Sequence, residues 1–483
     1  MRLAVIARVM GLLLIVFSSV MLPSLALAWF EPRDTFGAFL LAAIVTVVTG
    51  LALYAPARGA RQELRLRDGF VIVTLFWALL ALFGALPFVF AGLAGFADAY
   101  FESMSGLTTT GSTVLTGLDR LPASVNLWRG VMHFLGGGGI IVLAVAVLPL
   151  LGVGGMQLIK AETPGPMKEN KLTPRIRETA KGLWTIYLGL NVVCVTSLWV
   201  AGMTPLDAFV HSFSAVATGG FSSHDASIAF FQNPVIELIL TLFMFLGGIN
   251  FALHFVAFRQ RDPRPYLFDG EFRVYTAIMV GATLVMAFAL LASRTYPDFA
   301  DALRFSLFQV VSMATTTGFA TADFAAWPAA LGGLLMILGF FAGSAGSTAG
   351  GIKLMRIMLL FKQGACELRR LVHPNSIVTL KLGGKTVPER TISAVTTFFT
   401  AYLAIFAVIG LIVAAMGVDL VTAFTAAAAC LNNVGPGLGQ VGPATTFASL
   451  PDAAKWVLSF AMLLGRLELF TLLVLFTRVF WRS

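Results

Sequence analysis

The chain has 483 residues, 58% of them hydrophobic and only 12% charged, whereas a soluble protein carries about 25% charged residues. That balance excludes a soluble globular domain. Apolar runs of about 20 residues recur throughout, each long enough to cross ~30 Å of hydrocarbon, and they define a polytopic helical membrane protein. The formal charge of +9 is read as membrane topology, not as a nucleic-acid surface.

In chain order, residues 1–68 supply two apolar spans and a basic loop. The first run carries Arg2 and Arg8 ahead of it and ends in Ala26-Leu27-Ala28, which resembles a signal-peptidase site. It is too long for a typical signal core, and another span follows at Phe36 to Tyr54, so an uncleaved helix is expected. The loop from Arg58 to Asp68 holds Arg58, Arg61, Arg65 and Arg67.

Four units then follow, over residues 69–155, 156–260, 261–372 and 373–483. Each predicts a span, a short segment, a Thr/Gly stretch and a second span. The spans are Gly69 to Phe90 and Leu127 to Leu151, Leu183 to Ala201 and Val235 to Phe258, Val274 to Leu291 and Leu331 to Leu360, and Ile392 to Met416 and Ala453 to Phe480. The short segments, Ala97 to Leu107, Leu206 to Val216, Asp301 to Met313 and Asp419 to Leu431, cannot cross a bilayer and read as re-entrant pore helices. Asp98, Asp207, Asp301 and Asp419 stand at their starts and suit N-caps, where a carboxylate accepts free N–H groups and complements the helix dipole. The expected fold is therefore all-α: ten spans and four half-spans, with the four units around a pseudo-fourfold pore.

The stretches after the half-spans are Thr109-Thr110-Gly111, Ala217-Thr218-Gly219, Thr316-Thr317-Gly318 and Asn433-Val434-Gly435. Extended backbone at this depth is costly unless it lines a polar path, and glycine lets carbonyls turn inward. Rings of carbonyls replace the hydration shell of K⁺, so these twelve residues form the candidate filter, with K⁺ as substrate and no organic cofactor. The hydroxyls of Thr110, Thr218 and Thr317 either add ligands or brace the loop.

The second spans share a Phe-Leu-Gly-Gly-type signature: Phe134 to Gly137, Phe245 to Gly248, Phe341 to Ser344 and Leu463 to Arg466. Its small residues allow close helix approach or line the pore. The third copy continues through Gly343, Ser344, Gly346, Gly350 and Gly351, a run that predicts a broken helix and a candidate gate loop beneath the filter. The fourth copy places Arg466 inside the bilayer, a functional candidate by default. Arg466 pairs with Glu468 or with carbonyls, and below the filter it either repels ions or tethers a gate.

With the N-terminus in the cytoplasm, cytoplasmic segments hold 26 Lys and Arg against six on the outer side: Arg33, Arg120, Arg129, Arg294, Arg304 and Lys455. The filter stretches then face outward. Asp119, Asp225, Asp323 and Asp452 flank them, and an acidic mouth concentrates cations.

Over residues 69–480 these motifs resemble the Trk/Ktr/HKT superfamily of potassium transporters, most closely its Trk-type membrane subunit. The two extra N-terminal helices also look like that branch. The resemblance assigns the filter to the twelve residues above, the intramembrane loop to Gly343 to Gly351 and the gating arginine to Arg466. Sodium-conducting relatives often carry serine at the first filter glycine, so Gly111 argues for K⁺. The resemblance further implies a homodimer in the bacterial cytoplasmic membrane, with one pore per chain and a cytosolic ring of nucleotide-binding (RCK/KTN-type) regulatory subunits. The basic loops Lys160 to Lys181 and Lys353 to Arg390 are the expected contact. Proton- or sodium-coupled symport stays open as an alternative to channel-like uptake. An intramembrane enzyme has no paired acids or Ser/His set within the spans to support it. Cys194, Cys366 and Cys430, like His133, His211, His224, His254 and His373, show no metal-ligand spacing.

Overall fold

The computed structural model describes residues 1–31, 34–60, 65–142, 172–341, 343–374, 379–382 and 385–482. Its helices are α1 (Leu3–Val20), α2 (Leu22–Ala28) and α3 (Thr35–Ala57), then α4 (Leu66–Phe90), α5 (Phe96–Leu107) and α6 (Ala123–Val142) of the first unit. The second unit has α7 (Leu172–Val200), α8 (Pro205–Val216), α9 (Pro234–Gly247) and α10 (Phe251–Gln260). After the short α11 (Arg264–Phe268) comes the third, with α12 (Gly270–Ala292), α13 (Phe299–Ala314), α14 (Ala329–Phe340) and α15 (Leu354–Val372). The fourth has α16 (Glu389–Ala415), α17 (Leu420–Asn432), α18 (Asp452–Arg466) and α19 (Phe470–Leu473). A two-residue antiparallel pair, β1 (Lys381–Leu382) with β2 (Lys385–Thr386), interrupts the basic stretch before α16. Its Leu380, Leu382 and Val387 bury against Met355 and Leu359 of α15.

Among the described residues, six helices are long and apolar enough to span a membrane, or eight if each bent pair counts as one. The ten expected spans are thus not ten straight rods. The second unit's closing span bends by 98° between α9 and α10, and the fourth's by 109° after α18. The first break falls at Gly247 to Asn250. The second falls where Glu468 and Leu469 take φ of +55° and +50°. The expected break in the third unit lies between α14 and α15. The far end of the predicted Leu127 to Leu151 span, and most of the Lys160 to Lys181 loop, lie outside the described residues.

The half-helices α5, α8, α13 and α17 start and end within two residues of expectation, but their caps differ. Only Asp419 is itself an N-cap, accepting from Thr422 N–H at 3.0 Å. Asp98, Asp207 and Asp301 sit three residues inside, in the first turn. Thr204 and Asp298 cap α8 and α13 instead, each accepting from the N–H of the aspartate that follows. An acid at either position complements the helix dipole, so sequence alone does not separate the two.

Each unit's second span packs on the next unit's half-helix: α6 on α8, α9 on α13, α14 on α17, and α18 back on α5. Two of these seams carry ion pairs, Glu237–Arg304 at 2.7 Å and Lys455–Asp98 at 2.6 Å. Lys455 and Arg129, two of the six cations counted above on the outer side, are buried on helices. The four half-helices therefore form a closed ring, held inside a membrane by packing and a few polar ties, since lipid gives apolar surfaces no reason to associate.

Candidate functional site

The C-termini of the half-helices converge, and each ends in the same way. The N–H of Thr110, Gly219, Thr317 and Val434 donates to the carbonyl five residues back, on Ser105, Ser214, Ser312 and Ala429, at 2.7–2.9 Å. The residue before each, Thr109, Thr218, Thr316 and Asn433, bonds three residues back and takes φ of +51° to +59°. This is a Schellman-type ending, with threonine in three cases where glycine is usual. A β-branched residue at positive φ is a genuine outlier and holds on the order of 1–3 kcal/mol of strain.

The next residue fixes the register. Gly111, Gly220, Gly318 and Gly435 all have φ between +82° and +103°. A Cβ on Gly111 would lie 2.1 Å from the Gly219 carbonyl oxygen. One on Gly220 would lie 2.0 Å from that of Thr317, one on Gly318 2.0 Å from that of Val434, and one on Gly435 2.8 Å from that of Thr110. Each glycine thus abuts the next segment's carbonyl, and the cycle closes. The second segment is therefore Thr218-Gly219-Gly220, one residue later than the expected Ala217-Thr218-Gly219. Ala217 is the helix C-cap, equivalent to Thr108 and Thr315. The extra glycine has a steric cause, because a Cβ on Gly219 would lie 2.5 Å from Nδ1 of His133. His133 stacks on Phe221 at 4.3 Å and bonds Ser214 at 3.0 Å.

The hydroxyls of Thr110, Thr218 and Thr317 all bond to protein groups and brace the loop. Thr110 and Thr317 bond the hydroxyls of Thr108 and Thr315 at 2.7 Å, and those bond back into their helices. Asn433 crosses units to reach Thr110 at 2.9 Å, and Ser112 reaches the Gly435 carbonyl at 2.9 Å.

On one side of the glycines a cavity of about 380 Å³ opens, lined by all four and by the loops that follow. Of the four flanking acids, only Asp225 lines it. Asp119 accepts from Asp225 N–H and bonds His224 Nδ1 at 2.5 Å, Asp323 caps a turn, and Asp452 lies 3.5 Å from Lys455. His224 also faces Asp207 at 3.3 Å. Burial alone would lower its pKa, but hydrogen bonds and charges from Asp207 and Asp119 outweigh that and raise it.

On the other side lies the loop from Gly343 to Gly351. Thr348 donates to the Val216 and Gly247 carbonyls at 3.0 Å, Thr218 donates to Thr348, and Gly350 N–H donates to Thr316 at 2.8 Å. Ser344 N–H reaches the Gly248 carbonyl at 2.8 Å. Gly346 turns at φ +74° and Gly351 at +62°.

Arg466 is 2% exposed and takes the carbonyl option: it donates to Thr348 at 3.0 Å and to Gly136 at 2.9 Å. Glu468 instead pairs with Arg356 of α15 at 2.5 Å, a tie that sequence reading missed. Gly136, Gly247 and Gly465 of the shared signature sit where a Cβ would lie 2.0–2.9 Å from the last turn of their own half-helix, so close packing explains them. No group of three metal-ligating side chains occurs among the described residues.

Comparison with known proteins agrees with this architecture. The chain is 49% identical to the Trk system potassium uptake protein TrkH of Escherichia coli K12 and 48% identical to that of Halomonas elongata, over the full length of each. The crystal structure of the potassium transporter TrkH from Vibrio parahaemolyticus superposes with a TM-score of 0.92 at 47% identity, covering both chains completely. A family model described as TrkH, cation transport protein, matches residues 36–482, and the chain belongs to that family.

Proposed function

We propose that this chain is the membrane subunit of a bacterial K⁺ uptake system. The observation that carries the reading is the closed cycle in which the carbonyls of Thr110, Gly219, Thr317 and Val434 meet the glycines of neighbouring segments. Four backbone oxygens at one level are the chemistry that replaces water around K⁺. The negative ends of four half-helix dipoles favour a cation there. The relatives are potassium uptake proteins, which supports the same substrate.

In this reading the 380 Å³ cavity is the outer mouth and the N-terminus is cytoplasmic. The Gly343 to Gly351 loop is the gate, and Arg466 tethers it to the first and fourth units. The chain acts as a homodimer in the cytoplasmic membrane. It is controlled by a cytosolic nucleotide-binding subunit docking on the basic stretch Lys353 to Arg390. The purified chain in liposomes tests the proposal: K⁺ or Rb⁺ enters down an imposed potential while Na⁺ flux stays at least roughly tenfold lower. Equal Na⁺ flux, or flux that requires an organic solute, overturns it.

A further inference from the structure

The register described above makes Glu102, His211 and Gln309 equivalent, each three residues before the serine that accepts the filter N–H. All three are buried, and each reaches the limb of chain that leaves its filter glycine. Glu102 accepts from the Thr113 hydroxyl at 3.0 Å and from Val114 N–H at 2.9 Å. His211 bonds the Ser222 hydroxyl at 2.9 Å. The Gln309 carbonyl oxygen, in the amide orientation its neighbours require, accepts from Thr321 N–H at 2.8 Å. The fourth unit has Ala426 there and no such tie.

The first unit is the most heavily built. Arg129, fully buried on α6, donates to Glu102 at 2.8 Å and to the Thr113 hydroxyl at 3.3 Å. It also crosses to the second unit's Ser222 carbonyl at 2.6 Å. Its guanidinium lies 4.2 Å from the Phe221 ring centre. One ion pair therefore locks the exit limbs of two adjacent segments to each other.

We propose that Glu102 and Arg129 are positioning residues for ion discrimination. They hold the first two carbonyl groups at the spacing K⁺ requires, and Gln309 does the same more weakly for the third. Neither member of the pair touches the ion. Removing the pair lets two quadrants of the ring relax toward the smaller Na⁺, so the ratio of permeabilities changes more than the amount of folded protein. A buried ion pair is weak evidence of stability by itself, and its contacts to both limbs point to geometry instead.

The inference rests on the potassium reading, and the test separates the two. The full-length chain and its variants are reconstituted in liposomes, and the K⁺ to Na⁺ permeability ratio is measured. We expect Glu102→Gln to lower that ratio about tenfold and Gln309→Leu about threefold. Glu237→Gln, which breaks the Glu237–Arg304 pair away from these limbs, leaves it unchanged. Thr113→Ala removes one hydroxyl shared by Glu102 and Arg129 and reads the same ratio if Glu102→Gln does not fold. A wild-type chain without K⁺ preference overturns both readings. A selective wild type whose ratio survives Thr113→Ala and any folded Glu102→Gln, or falls equally in Glu237→Gln, overturns this inference alone.

Discussion

The two sides of the narrow ring are built on opposite principles. On the cavity side and through the four glycines, one backbone pattern repeats four times, with the same 6→1 bond and the same positive φ pair. On the far side the glycine packing recurs, but the polar ties around the Gly343 to Gly351 loop occur singly among the described residues. One Gly/Ser loop, two arginines (Arg466 and Arg356) and one glutamate do the tying, and each bond joins different units. Repetition gives equivalent ligands, which a symmetric ion needs. A movable part needs a single copy whose contacts break together. Under the proposed function, carbonyl ligation would draw on what the units share and gating on where they differ.

The sharpest way to break this comparison is to damage the repeated side. Gly220→Ala puts a Cβ 2.0 Å from the Thr317 carbonyl oxygen at φ +84°. It should cut K⁺ flux by roughly 100-fold, since about 2–3 kcal/mol of strain enters the ring. Normal flux would mean that this glycine is not part of the repeat. On the unrepeated side, Arg466→Ala removes both carbonyl ties and should raise basal K⁺ flux about tenfold, as should shortening the loop. If flux stays the same in both, the gate lies elsewhere.

A smaller test compares two adjacent hydroxyls. Thr316→Val loses the acceptor for Gly350 N–H and should raise basal flux about threefold. Thr317→Val loses only a bond to Thr315 on its own segment and should leave gating alone. Equal effects would erase the distinction between the two sides.

The smallest effect concerns pH. His224 has a raised pKa, so the stabilisation from its protonated form is complete below the ordinary 6.5 and is lost as pH rises through the raised value. Thermal stability should fall by about 1 °C from that contribution as pH increases above 6.5, and His224→Gln should flatten the slope. A slope unchanged in the variant would remove His224 as its source.

Much of the repeated side was legible beforehand, because half-helix length, first-turn acids and a following glycine are local signals. The register of the second segment was not. Gly219-Gly220 offers two candidates, and the choice depends on His133, 86 positions away. The 98° and 109° bends were also hidden, since Gly247-Gly248 and Gly465 read equally as packing residues in straight helices. For Arg466 the residue was evident but the partner was not, because Glu468 is two positions away in sequence yet is taken by Arg356.

The seam where Lys455 reaches Asp98 and Asn433 reaches Thr110 joins the fourth unit back to the first. A copy still leaving the ribosome has only three quarters of the circle until α18 has emerged. Under the proposed function a partial circle lacks part of its carbonyl set, so unfinished copies would not conduct K⁺ across the membrane.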